Sequence, residues 1–254
     1  MEVLFLGTGT GVPSAERASP GLLVLAGGLK ILVDAGSGTL RQLARTGHSY
    51  NDLDCIFLTH FHPDHTAELV PYLFATNYWP GFTRLQPARI YGPRGLLAWL
   101  EHLRAAWGHW VEPPDNRVEF HELELGASTA FRCGPLGVAA GPIPHTEASL
   151  GYRFSEPDGP TLVVTGDTDY GPGLVALARG ADLLVTECSM PQGMKVDGHL
   201  TPELAGRAAR EAGVGALALT HFYPETRGHD LEAHAAQEFE GRIILAEDLM
   251  RVPV

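Results

Sequence analysis

Thr59-His60-Phe61-His62-Pro63-Asp64-His65 decides how this chain is read. It follows the apolar run Cys55-Ile56-Phe57-Leu58, so residues 55–59 read as a buried strand. Four candidate metal ligands then fall within six residues, in a turn leading to a helix. Loops after strands are where α/β proteins place their sites. In extended backbone His60 and His62 point the same way, because side chains alternate with period two. Asp64 and His65 come after the chain bends and can address a second point. That arrangement suits two metal ions rather than one. Chance explains it poorly, since His makes up only 12 of the 254 residues.

Working outward, three more candidate ligands stand in similar places. His145 follows Pro142-Ile143-Pro144. Asp167 follows Leu162-Val163-Val164-Thr165-Gly166. His221 follows residues 217–220. A lone His of this kind is more often structural; three candidates at the same type of location shift the balance.

The remaining pattern is that of a layered α/β fold. Residues 3–6 read as a strand. Residues 22–25 and 30–33 read as a hairpin joined by Ala26-Gly27-Gly28-Leu29, because Gly-Gly favours a tight two-residue turn. A helix is expected over 39–46. Residues 66–110 read as helical, interrupted by a strand at Ile90-Tyr91-Gly92-Pro93 with the helix resuming over 94–107. Residues 117–140, 162–165, 183–186, 217–220 and 243–246 read as strands. Residues 201–212 read as a helix with Thr201 as N-cap and Pro202 at its first position, and a further helix lies near 230–239. The glycine-rich Gly7-Thr8-Gly9-Thr10-Gly11 is not a phosphate loop, since no Lys-Ser/Thr follows and Pro13 stands where a helix should begin. With no repeat, linker or composition break, a single domain over 1–254 is expected.

Composition narrows the class. The formal net charge of −12 repels phosphate backbones and weighs against nucleic-acid partners, although a local basic patch is compatible with it. Cys55, Cys133 and Cys188 form no C-x-x-C pair and read as reduced thiols, with Cys55 buried. The apolar N-terminal run is too short for a signal peptide, and no stretch has the ~18 apolar residues of a membrane helix. A cytoplasmic protein with no membrane association is expected.

The ordered set His60-x-His62-x-Asp64-His65, then His145, Asp167 and His221, resembles the metallo-β-lactamase superfamily. Phe5-Leu6-Gly7-Thr8-Gly9-Thr10-Gly11-Val12-Pro13, the Asp34-x-Gly36-x-Gly38 turn, Tyr91-Gly92-Pro93 and Gly166-Asp167-Thr168 resemble its ribonuclease Z-like branch. The resemblance spans nearly the whole chain. It implies a four-layer αββα sandwich with the metals at one edge. It implies that His60, His62 and His145 hold one divalent ion, that Asp64, His65 and His221 hold the second, and that Asp167 bridges both. Zn2+ is the expected metal; Mn2+ and Fe2+ also fit such ligands. Coordination brings the pKa of water down to about 7, which would supply the nucleophile. Asp64, His199 and Glu187 are the expected catalytic group: His199 to donate a proton to the leaving group, Glu187 to orient His199. Asp34 is expected to brace the site loops. The other histidines (His48, His102, His109, His121, His229 and His234) are expected to be structural or exposed.

Two departures bear on substrate. Ribonuclease Z trims precursor tRNA and normally carries a long arm that grips it, commonly between the motifs matching His145 and Asp167. Only 21 residues lie between them here, read as a Tyr152-Arg153-Phe154 strand and a Pro157-Asp158-Gly159-Pro160 turn. Pro63 stands where that enzyme commonly has a small residue. Both features, with the acidic charge, point away from tRNA and toward a phosphodiesterase acting on small phosphodiesters, cyclic nucleotides or short RNA. The alternatives are a tRNA 3′ processing endoribonuclease, or a lactonase or thioesterase on the same cage. The aromatics Tyr72, Phe74, Tyr78, Trp79 and Phe82 could form a lip that stacks a base, or pack a core or a dimer interface. The resemblance also allows a homodimer.

Overall fold

The computed structural model describes residues 1–78, 86–114, 117–124 and 129–254. Two seven-stranded mixed sheets face each other. The first contains β1 (Glu2–Gly7), β2 (Gly21–Ala26), β3 (Leu29–Val33), β4 (Cys55–Phe57), β5 (Ala88–Pro93) and β6 (Val118–Leu123). The second contains β7 (Thr129–Cys133), β8 (Leu136–Pro142), β9 (Leu150–Ser155), β10 (Thr161–Val164), β11 (Leu183–Glu187), β12 (Ala216–Thr220) and β13 (Arg242–Leu245). The last strand, β14 (Arg251–Pro253), returns to pair antiparallel with β1 in the first sheet. Helices α1 (Thr39–Arg45), α2 (Pro63–Thr66), α3 (Leu69–Tyr78), α4 (Leu96–Trp107), α5 (Pro172–Ala178), α6 (Pro202–Ala212) and α7 (Leu231–Ala236) connect the strands.

Alternation along the strands sorts side chains into three cores. From β1, Val3 and Phe5 point between the sheets, while Leu4 and Leu6 point outward. Along β4, Cys55 and Phe57 face inward and Ile56 outward. In the second sheet Leu183 and Val185 face inward, and Leu184 packs with Leu174, Ala205 and Leu231 from the helices. Both faces of each sheet are therefore buried, which is why these strands read as unbroken apolar runs. The result is the expected αββα sandwich. Phe57 centres the middle layer, with its ring 4.7 Å from Tyr91, 5.1 Å from Tyr152 and 5.2 Å from Phe154. Such pairs contribute about 0.5–1.5 kcal/mol each beyond area burial.

Several expectations need adjustment. The hairpin turn is as read, with Gly27 and Gly28 both at positive φ (56° and 77°). Thr201 precedes α6, but its side chain makes no capping hydrogen bond. The helix expected near 230–239 stops at Ala236, and α5 and β14 went unpredicted because both are too short for a clear period. Cys55, Cys133 and Cys188 are all buried free thiols. Of the aromatic stretch, Tyr72 lies in the outer core of the first sheet, so it cannot join an exposed lip. Phe74 is exposed beside Trp110. The Tyr78 side chain, Trp79 and Phe82 lie outside the described residues. No described helix is long and apolar enough to cross a membrane.

Parallel pairing places the carboxyl ends of β3 and β4 at one edge, and likewise those of β10, β11 and β12. Asp34, His60, Asp167, Glu187 and His221 all lie at or just beyond these strand ends. Tyr152 ties the sheets together there, its buried hydroxyl donating to the carbonyl of Leu58 at 2.6 Å. Tyr152→Phe leaves that carbonyl without its partner. The expected loss is about 1–3 kcal/mol, read as a lower urea midpoint at unchanged slope.

Candidate active site

The histidine motif folds as its residues dictate. Pro63 fixes the first position of the one-turn α2, and His62 caps it in extended conformation (φ −61°, ψ 144°). His60 and His62 thus precede the turn, and Asp64 and His65 ride on it. Two backbone approaches close the loops over this turn. Gly36 packs so tightly that a Cβ there would lie 2.1 Å from the carbonyl oxygen of Asp64. Gly166, at φ 65°, would place a Cβ 2.5 Å from the Thr59 hydroxyl. Only glycine fits either position.

Asp167 sits at the centre, and its two oxygens face different groups. Oδ2 lies 3.9 Å from His60 Nε2 and 3.8 Å from His145 Nε2. His62 Nδ1 approaches the same point, 3.3 Å from His145 Nε2. Oδ1 lies 3.2 Å from both His65 Nε2 and His221 Nε2. Asp64 Oδ2 completes this second group at 3.5 Å from His221 and 3.9 Å from His65. The structure thus gathers all seven expected ligands into two neighbouring clusters, each with ligand atoms within 4.8 Å of one another. His199 forms a third such group with Asp167 and His221, and none of the other six histidines joins a cluster among the described residues.

Four rings are oriented from behind. His65 donates Nδ1–H to Asp34 at 2.7 Å, and His145 to the Gly198 carbonyl at 2.9 Å. The Thr59 hydroxyl donates to Asp34 and so accepts from His60 Nδ1 at 3.0 Å. The Ser189 hydroxyl donates to Glu187 and accepts from His221 Nδ1 at 2.9 Å. Each ring therefore turns Nε2 toward the centre. His60 Nε2 and Asp167 Oδ1 are buried without a hydrogen-bond partner. Buried polar atoms rarely remain so; a divalent cation between the groups satisfies both, and the mixed imidazole and carboxylate set fits one.

Electrostatics favour the ligand-competent state at His60, Asp64 and Asp167, whereas His65 must give up a proton to bind a metal. Burial pushes the His60 imidazole down to about 2, and neighbouring His65 adds to the effect. Burial would raise Asp64, yet His221 and His65 bring it down to about 2. Burial likewise opposes ionisation of Asp167, but the charges of His221 and His65 hold its carboxyl well below the usual range. His65 is raised well above the ordinary histidine value because Asp167 and Asp34 outweigh its burial.

Glu187 and His199 meet as expected. Buried Glu187 accepts from His199 Nδ1 at 2.8 Å, from the Thr168 amide at 2.8 Å, and from both the amide and hydroxyl of Ser189. Burial lowers His199, but its hydrogen bond to Glu187 more than offsets this and its pKa is raised. The His199 ring lies 4.9 Å from His145 and 6.0 Å from His221.

Three contributing residues escaped sequence reasoning. Ser189 links Glu187 to His221 and carried no motif signal. Thr59 was read only as the end of a strand. Asp169 accepts from Lys195 Nζ at 2.7 Å and from the Gly198 amide at 3.0 Å, pinning the loop that carries both His199 and the carbonyl partner of His145.

The model of the β-lactamase superfamily domain matches residues 30–222. Ribonuclease Z of Mycobacterium sp. (strain KMS) is 35% identical over 280 aligned positions, covering 100% of this chain and 96% of that protein. The chain belongs to the ribonuclease Z-like branch of the metallo-β-lactamase superfamily. It is a hydrolase of that fold, with a His/Asp cluster suited to divalent metal. Ribonuclease Z of Mycobacterium marinum (strain ATCC BAA-535 / M) is 34% identical, covering 100% of this chain and 99% of that one. Among solved structures, human tRNase Z, short form, superposes with a TM-score of 0.81 at 28% identity, covering 100% of this chain and 99% of its own. The metallo-β-lactamase fold protein YhfI from Bacillus subtilis gives 0.84 at 26% identity, covering 99% and 98%. These relatives weigh against the expectation that set tRNA aside.

Asp34→Ala removes the acceptor for the Thr59 amide, the Thr59 hydroxyl and His65 Nδ1. The expected outcome is a drop of about 10–100-fold in metal affinity, measured by competition with a chromogenic chelator.

Proposed function

We propose that this chain is a dinuclear-metal phosphodiesterase that hydrolyses small phosphodiesters, cyclic nucleotides or short RNA. One observation carries the reading: Asp167 offers one oxygen to the His60, His62 and His145 group and the other to the Asp64, His65 and His221 group. In this reading His60, His62 and His145 would hold one ion and Asp64, His65 and His221 a second, with Asp167 shared between the two groups; Zn2+ is the expected metal. When bound, the pair supplies an activated water and positive charge for the phosphoryl oxygens.

The chain's own residues do the rest. His199 stands beside both ligand groups, held through Nδ1 by Glu187, so its Nε2–H is directed away to protonate a departing oxygen. Glu187 keeps that proton in place by favouring the charged imidazole. Asp169 and Lys195 fix the loop from which His199 projects.

A second reading, tRNA 3′ processing, is favoured by the relatives named ribonuclease Z over the whole chain length. Against it stands the segment from His145 to Asp167. It is spent on a short turn, β9, the 157–160 turn and β10, which leaves no arm there. The 280-position alignment exceeds the chain's 254 residues, so those relatives carry segments this chain lacks.

The test is hydrolysis of bis(4-nitrophenyl) phosphate beside a precursor tRNA, a lactone and a β-lactam, using zinc- or manganese-loaded protein. Diester turnover abolished by Asp167→Ala, without lactone or lactam turnover, is the expected result. Turnover of lactone alone would overturn the phosphodiesterase reading, and efficient cleavage of precursor tRNA would favour the second. His199→Ala should lower kcat by about 10²–10⁴-fold for an RNA ester and much less for the nitrophenyl ester, whose leaving group needs no proton.

The pH profile follows from the raised His199 pKa. The proton donor is present below that pKa and is lost as pH rises through it, so the alkaline limb of kcat reports His199. Glu187→Gln removes the charge that raises it. The alkaline limb is therefore expected at lower pH than in the native enzyme; an unchanged limb would exclude His199 as the donor.

A further inference from the structure

The loop following β1 touches the metal-ligand cluster at one end and a second basin at the other. Gly11 packs beside Asp64, where a Cβ would lie 3.4 Å from the carboxylate carbon. Beyond it, residues 14–18 and helix α1 enclose an open basin of about 520 Å³. Arg17, Arg41 and Arg45 line this basin. Three guanidinium groups around one hollow are a local excess in a chain of net charge −12 with 18 basic residues.

Two acids, Glu16 and Asp248, share this lining. Asp248 accepts from the Thr8 amide and hydroxyl, the Ala18 amide and Gln42 Nε2 at 2.7–3.0 Å, and through the Thr8 hydroxyl its charge offsets that of Arg17, which leaves Arg41 and Arg45 as the excess. Glu16 pairs with Arg227 at 2.9 Å. Arg17 is held from behind by Thr8 and the Ala246 carbonyl, and stacks over Phe222, so its position is fixed. Arg41 is exposed and makes no ion pair or hydrogen bond to any described residue. Arg45 is also exposed and gives one N–H to the neutral amide of Gln42 at 2.7 Å. Ser14 Oγ accepts the amides of Glu16 and Arg17 at 3.0 and 3.3 Å, which leaves its proton to donate elsewhere.

We propose that this basin is a phosphate-binding site separate from the metal cluster, in which Arg41 and Arg45 clamp the oxyanion and Ser14 adds a hydroxyl donor. Guanidinium forks match the oxygens of a phosphate, whereas a lone ammonium would give only a point charge. The six Cα–Cα steps from Gly11 to Arg17 span at most about 21 Å, so a phosphate in the basin lies within reach of a substrate a few nucleotides long. The phosphate has two possible sources, a neighbouring diester of the substrate or a free phosphate anion. Only the first rests on the phosphodiesterase reading.

The test uses Arg41→Ala/Arg45→Ala in the metal-loaded protein, with thermal melting to confirm the fold. Inorganic phosphate is titrated calorimetrically into both proteins. The native enzyme is expected to show two classes of phosphate site, and the variant one. Identical isotherms would overturn the proposal. The Michaelis constant for a five-residue oligoribonucleotide is then compared with that for bis(4-nitrophenyl) phosphate. A rise of about tenfold for the oligonucleotide alone, with kcat unchanged, assigns the site to the substrate's own phosphate. Unchanged oligonucleotide kinetics, with a phosphate effect on nitrophenyl turnover that only the native enzyme shows, assigns it to free phosphate. If neither protein cleaves either diester, the phosphodiesterase reading falls, while the calorimetric titration still decides the basin.

Discussion

The carboxylate of Asp34 organises the edge on which everything else depends. It sits at the end of β3 in a left-handed conformation (φ 58°), accepts the Thr59 amide and hydroxyl at 2.8 Å each, and accepts His65 Nδ1 at 2.7 Å. One buried side chain thus fixes where β4 ends, which face His60 presents through Thr59, and how His65 is turned. His221 adopts the same unusual backbone region at φ 59°. Such positions cost about 1–3 kcal/mol each and persist when the surroundings over-determine them. Here the surroundings are the hydrogen bonds behind the ligand rings.

The cluster that results is poorly suited to remain without a cation. Four imidazoles turn Nε2 onto the oxygens of one buried carboxylate, and His65 and His221 bring these nitrogens within 3.4 Å of each other. A proton on His65, which Asp167 and Asp34 favour, satisfies part of this cluster, but His60 Nε2 still lacks a partner and protonating every ring would bury several like charges. Divalent cation binding would resolve both problems at once, and the mostly buried ligand set would strengthen the cation's field.

The surface tells a different story from the centre. The full-length likeness to proteins named ribonuclease Z sets the lineage, whereas the short β9–β10 hairpin leaves no arm between His145 and Asp167 and the overall balance is acidic. Net charge is an average, however. The arginines at residues 17, 41 and 45 converge in space beside the loop that reaches Asp64, although 23 residues separate Arg17 from Arg41 in the chain. A sequence average could not have shown that convergence.

What the sequence alone determined is local. The alternation of His60 with His62, the bend at Pro63 and the apolar runs before each candidate ligand are short-range features, set by backbone period and burial. The Gly27-Gly28 turn was legible for the same reason. The four-layer architecture was legible through the resemblance and through strands apolar on both faces. Tertiary structure decided the rest. Ser189 acquires its role only because parallel pairing of β11 with β12 brings it beside His221, 32 residues on. Asp169 matters only because its carboxylate meets a loop 26 residues later. Tyr72, read as a possible lip, is claimed by the outer core because α3 must bury one face. Hydrogen-bonded supports are ordinary Ser, Thr and Asp in sequence; their partners are chosen by the packing of the sheets, which no local pattern encodes.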